Sequence, residues 1–165
     1  MPMCAARTLD HSRVLRVAYL TPDAHLAMAR FTDCLMTLHD PAQIEASFYY
    51  AFDTDLREVQ TRFPRVRHVS LFGTSADQVV ERLLGDRIDI AIDLSGHGAG
   101  NQLAALQRRP APVQITWLDY VATTGVSGID WRIGDAVTDP PEHDRWSTEL
   151  QLRLDVAPWC YTPFP

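Results

Sequence analysis

The chain has 165 residues, 46% of them hydrophobic and 22% charged, a composition that fits one soluble globular domain with a full-sized core. A formal net charge of −6 argues against nucleic acid as a main partner. No apolar run reaches the ~18 residues that a membrane span needs.

Residues 1–13 read as a disordered lead-in, and residues 14–165 as one domain. The run Arg13–Leu20 is apolar and β-branched and stops at Thr21-Pro22, which predicts a first buried strand. A helix from about Leu26 to Leu38 follows, ended by Asp40-Pro41. Ile44–Phe52, with Phe48, Tyr49 and Tyr50, predicts a second strand. Asp53 or Thr54 is placed to cap a helix running to about Arg62. Arg65–Leu71 is a shorter strand, and Ser75 opens a helix that ends near Gly85. Arg87–Leu94 is the clearest buried strand. Asn101 caps a short helix to Arg109, with Arg108 and Arg109 at the negative end of its dipole. Val113–Leu118 is the next strand, and Ile129–Ile133 and Gln151–Leu154 read as edge strands. Strands alternating with helices predict an α/β fold, a Rossmann-like parallel sheet with helices on both faces.

In such a sheet, ligands sit at the loops that leave the carboxyl ends of the strands. Gly96, Gly98 and Gly100 follow a strong strand. They either present backbone amides to an anion or make a tight connection that needs positive φ, and the spacing is not that of a dinucleotide fingerprint. His97 in that loop is either a substrate contact or a solvated side chain. Asp23, just past the first strand, either acts as a base or caps the next helix, and His25 beside it titrates near neutrality. Thr123 and Thr124 offer hydroxyls for a sugar or phosphate, whereas Trp117 reads as core. Asp139-Pro140-Pro141 is expected to be a rigid extended connection. The proline-rich end, with Trp159, Tyr161 and Phe164, suits packing on a neighbouring domain.

All fifteen basic residues are arginine, so no lysine of this chain can act as a nucleophile or hold a phosphate. Cys4, Cys34 and Cys160 are odd in number and far apart, and the six histidines lack ligand spacing, so neither a disulfide framework nor a metal site is expected. Met1–Arg7 lacks a signal-peptide core. Together these features predict a cytoplasmic protein.

Six stretches in chain order carry a family resemblance: Leu15–Asp23, Arg87–His97, Gly100–Leu103, Arg109–Leu118, Thr123–Gly125 and Ile129–Pro141. They resemble the catalytic region of the O-linked N-acetylglucosamine transferases, with Arg109-Pro-Ala-Pro-Val-Gln followed by Trp117-Leu118 as the most specific match. The resemblance implies the N-terminal half of a GT-B glycosyltransferase. It also implies transfer of N-acetylglucosamine from UDP-N-acetylglucosamine (UDP-GlcNAc) to serine or threonine of an acceptor protein, with inversion. The donor is a substrate, and no cofactor is expected within this chain. Most contacts to the diphosphate, including a lysine, would come from a C-terminal half, which makes that half the expected partner. Asp23 and His25 are catalytic candidates from their place after the first strand, His25 standing two residues before the position of the family's histidine. By the resemblance, His97, Leu118, Asp119, Thr123 and Thr124 face the sugar or acceptor.

The chain departs from the family pattern at two places. A His-Pro pair of the family falls on Ala27-Met28, and two glycines and a proline fall on Asp119, Ala122 and Val121. A carboxylate at 119 adds negative charge beside a diphosphate sugar and should weaken donor binding unless a cation compensates. A non-catalytic binding module descended from the same family is the competing expectation.

Overall fold

Among the described residues, seven strands form one wholly parallel sheet in the order β3-β2-β1-β4-β5-β6-β7. The computed structural model describes residues 13–23, 26–161 and 163, with backbone alone for 26–29. The elements are β1 (Leu15–Thr21), α1 (Leu26–Leu38), β2 (Ile44–Tyr50), α2 (Leu56–Arg62), β3 (Arg67–Ser70), α3 (Ala76–Gly85), β4 (Ile90–Asp93), α4 (Leu103–Leu106), β5 (Val113–Thr116), β6 (Trp131–Asp135), a 3-10 helix (Pro141–Trp146) and β7 (Leu150–Leu154).

Alternation along the strands builds two cores, one on each face of the sheet. Val17 and Tyr19 of β1 and Phe48 of β2 pack with Met36 of α1 and Val59 of α2. Ala18, Leu20 and Tyr49 point the other way, onto Val79, Val80 and Leu83 of α3 and onto Leu103 and Leu106 of α4. The expected fold, with helices on both faces, is therefore the observed one. β1 and β4 are neighbours, with Leu20 opposite Asp93, so the strand order reverses between them and opens a crevice at their carboxyl ends.

Several expectations need correction. The cap of α2 is Asp55, whose side chain accepts Arg57 N–H at 2.9 Å, and not Asp53 or Thr54. Phe52 N–H is still tied to Pro22 O at 2.7 Å, and Thr54 Oγ1 donates back to Phe52 O at 3.2 Å, so the helix starts only afterwards. The Ser75 cap is as expected, and its capping box with Gln78 is complete.

Helix α4 is only one turn long. Arg108 N–H and Arg109 N–H reach back three residues rather than four, and Arg109 adopts φ +51 before Pro110. Asn101 receives Leu103 N–H at 3.3 Å, but Gln102 holds the cap position. Arg108 pairs with Asp77 and Arg109 with Asp130, so neither serves the end of the helix.

Of the two strands expected at an edge, β6 lies inside the sheet and β7 is an edge, with β3 at the opposite one. Pro141 opens the 3-10 helix instead of continuing an extended connection. Part of the terminal stretch is tied to this domain, with buried Trp117 donating Nε1–H to Pro158 O at 2.7 Å and Tyr161 against Phe31 of α1. Trp159 and Tyr161 keep exposed surface, and Phe164 lies outside the described residues. Among the described residues, no helix is long and apolar enough to cross a membrane.

Candidate functional site

The crevice at the carboxyl ends of β1, β4 and β5 is lined by three loops: Pro22-Asp23, Ser95–Gly100 and Trp117–Thr124. Parallel register puts Asp93 opposite Thr116 and beside Leu20, so all three loops leave the sheet on one edge. The sequence candidates Asp23, His97, Leu118, Asp119, Thr123 and Thr124 are gathered there. His25 lies outside the described residues, and the side chains of Ala27 and Met28 are outside them too.

Asp93 organises the glycine loop. Its side chain is fully buried and accepts Ser95 N–H at 3.1 Å, Gly96 N–H at 2.9 Å and the Thr116 hydroxyl at 3.0 Å. Burial pushes its pKa up to about 6, although those three donors oppose the shift. The loop also binds itself, with Gly98 N–H on Ser95 O at 2.8 Å and Asn101 N–H on Gly98 O at 3.3 Å. Its amides at 95, 96, 98 and 101 are thus occupied internally, and the nearest buried charge is a carboxylate. This favours the tight-connection reading of the glycines over an anion cradle. Gly96 has φ +49, and a Cβ there would stand 2.1 Å from Tyr120 Cβ, so only glycine lets the two loops touch.

His97 is exposed, yet its ring is held in place. Nε2 lies 2.8 Å from Thr124 O, and the ring meets Tyr120 edge-on at 5.2 Å. A carbonyl only accepts, so Nε2 carries the proton, and in the neutral ring Nδ1 is the basic nitrogen.

Thr123 and Thr124 bind a carboxylate that the sequence did not single out. Glu149, nearly fully buried just before β7, accepts Thr124 N–H at 2.8 Å, Thr123 Oγ1–H at 2.7 Å and the Thr124 hydroxyl. Burial raises its pKa, but these donors outweigh burial and hold it below the ordinary glutamate range. Both threonine hydroxyls are therefore committed to Glu149 rather than offered to a ligand.

Leu118 turns the chain out of β5 with φ +88, a conformation that costs a branched side chain ~1–3 kcal/mol and gathers at functional sites. Asp119 follows it, exposed, with Oδ2 3.7 Å from where a Cβ on Gly98 would lie. Beside this turn, a pocket of about 260 Å³ is lined by Leu118, Tyr120, Val121 and Trp159, with the Arg132–Asp139 ion pair among its walls. A cavity of about 280 Å³ around His39 and Phe63 lies at the amino end of β2, away from these loops. Among the described residues, no group of three or more His, Cys, Asp or Glu side chains could hold a metal ion.

Of the groups that sequence reasoning missed, Asp93 carried a signal, an aspartate ending a strand before Leu-Ser-Gly, which reads as a side-chain-stabilised turn. Glu149 carried none, because it meets the threonines across 25 residues.

The sequence model of glycosyl transferase family 41 matches residues 6–154. The chain is 32% identical over 162 residues to a probable UDP-N-acetylglucosamine–peptide N-acetylglucosaminyltransferase, SPINDLY, of Arabidopsis thaliana. That match covers 94% of this chain and 18% of the plant protein. A UDP-N-acetylglucosamine–peptide N-acetylglucosaminyltransferase of Caenorhabditis elegans is 29% identical, over 81% of this chain and 12% of its own length. Among solved structures, a mutant O-GlcNAc transferase of Thermobaculum terrenum superposes with a TM-score of 0.83 at 30% identity, covering 91% of this chain and 29% of that one. The chain thus spans less than a third of each of these relatives.

Proposed function

Because the chain belongs to glycosyl transferase family 41, we propose that it is the N-terminal half of the catalytic unit of a protein O-GlcNAc transferase. In this reading, UDP-GlcNAc is the donor and a serine or threonine hydroxyl of a protein is the acceptor. The observation that carries it is His97, exposed on the carboxyl edge with Nε2–H fixed on Thr124 O and Nδ1 as the base. Nδ1 takes the acceptor proton as the hydroxyl oxygen bonds to the anomeric carbon and the UDP oxygen leaves with its electron pair. Asp23, from the neighbouring strand end, stands beside it as a carboxylate on the acceptor side. The leaving diphosphate needs positive charge, and the described carboxyl-edge loops offer Asp23, Asp93 and Asp119 instead. That charge belongs to a C-terminal half, the partner this reading requires.

The exposed carboxylate of Asp119 favours a second reading, a family-derived binding module without turnover. The two are separated by mixing this chain with the C-terminal half of a relative and following UDP release with an acceptor peptide. Transfer that depends on both pieces, and on His97, supports the first reading. Absence of turnover with both pieces folded overturns it. Tight calorimetric binding of UDP-GlcNAc to the isolated chain overturns the second.

A further inference from the structure

Glu149 stands just before the edge strand β7 and bonds Thr123 and Thr124, and it takes no part in the proposed reaction. Its backbone position is rigid, since the next residue, Leu150, donates N–H to Asp130 O at 2.9 Å and pairs with Trp131. From there the carboxylate gathers three donors, Thr124 N–H and the Thr124 and Thr123 hydroxyls. The Thr123 oxygen is itself saturated, accepting Thr148 N–H at 3.1 Å and Gly125 N–H at 3.2 Å. Thr124 is thereby held at its amide and hydroxyl by Glu149, while its carbonyl holds His97 Nε2.

We propose that Glu149 is a positioning residue for His97: by clamping Thr124 it fixes one imidazole tautomer, with Nε2 as donor and Nδ1 as the basic nitrogen. Only an acceptor-only group satisfies this set of donors, so an ionised carboxylate fits where an amide does not. In Glu149→Gln one oxygen still takes Thr124 N–H, but the NH₂ must then face the Thr123 oxygen, already filled by two amides. Tyr120 restrains the other side of the ring. The importance of Nδ1 rests on the transferase reading, whereas the clamp itself does not.

The test is nitrogen-15 NMR of the His97 ring in the free chain, reading its tautomer and the solvent exchange of Nε2–H with no nucleotide sugar present. In the wild type, Nε2–H is the single populated tautomer and exchanges slowly. Glu149→Gln, with strand amide shifts unchanged, accelerates that exchange about tenfold or more, the scale of losing a hydrogen bond to a charged group. Glu149→Ala abolishes the protection, and if that variant does not fold, the glutamine variant decides. Val59→Ala, which weakens the core on α2 without touching these loops, leaves the His97 exchange unchanged. An unaltered tautomer and exchange rate in folded Glu149→Gln overturns the proposal, as does equal acceleration in Val59→Ala. Failure of UDP release in the mixed halves, with His97 exchange behaving as expected, rejects the transferase reading and leaves the clamp standing.

Discussion

Burial of Asp93 makes the stability of this domain depend on pH in a direction opposite to that of most carboxylates. Its pKa rises from 3.8 to about 6 on folding. The native state therefore binds the proton more tightly than the unfolded chain. This contribution to stability is fully present below pH 3.8 and is lost as the pH rises through about 6. At 1.36 kcal/mol per tenfold change in proton affinity, the full loss is about 3 kcal/mol, of which about 2 kcal/mol falls between about pH 4.5 and 7.5. Other carboxylates, Glu149 among them, contribute with the opposite sign and mask this in the wild type alone. Asp93→Asn removes the titration and keeps the size of the side chain. It also leaves an NH₂ facing Ser95, Gly96 or Thr116, a penalty that does not vary with pH. Urea denaturation of both proteins across this range isolates the term. Relative to the variant, the wild type should lose about 2 kcal/mol on going from about pH 4.5 to 7.5. Parallel stability curves would refute the argument and imply that Asp93 titrates as if exposed.

Leu118→Gly should be more stable than Leu118→Ala by about 1 kcal/mol in denaturant melts, the reverse of the usual order, because alanine retains the strain of φ +88 while glycine releases it. The ordinary order would remove strain as the distinguishing property of this turn. Gly128→Ala should destabilise by at least ~2 kcal/mol, since its Cβ would lie 2.3 Å from Leu106 O and 2.9 Å from Gln107 Cα, both backbone atoms. A thermal melt unchanged within a degree or so would show that α4 can shift aside.

Local chemistry made much of the fold legible. The β-branched run of β1, the helix from Leu26 to Leu38 and the Ser75–Gln78 capping box are short-range patterns, and each is found where its residues predict it. Where several residues competed for one role, the chain alone did not choose. Asp53, Thr54 and Asp55 can all cap a helix, and the tie between Phe52 and Pro22 across the β1–β2 edge selects the last. Asn101 and the arginines at 108 and 109 fit a longer α4, but ion pairs to Asp77 and Asp130 and the positive φ of Arg109 end the helix after one turn.

The same division runs through the candidate site. Sequence by itself determined the family, the alternating α/β order and the carboxyl-edge loops bearing Asp23, His97, Asp119, Thr123 and Thr124, because hydrophobic period and turn residues act over a few positions. Tertiary structure alone decided that the threonine hydroxyls are committed to Glu149, that the glycine loop wraps a buried aspartate, and that His97 turns Nε2 onto Thr124 O and leaves Nδ1 as its unprotonated nitrogen. Those roles depend on which donors meet which acceptors across 25 residues and several strands, and a buried carboxylate acquires its function only from the partners that burial imposes on it.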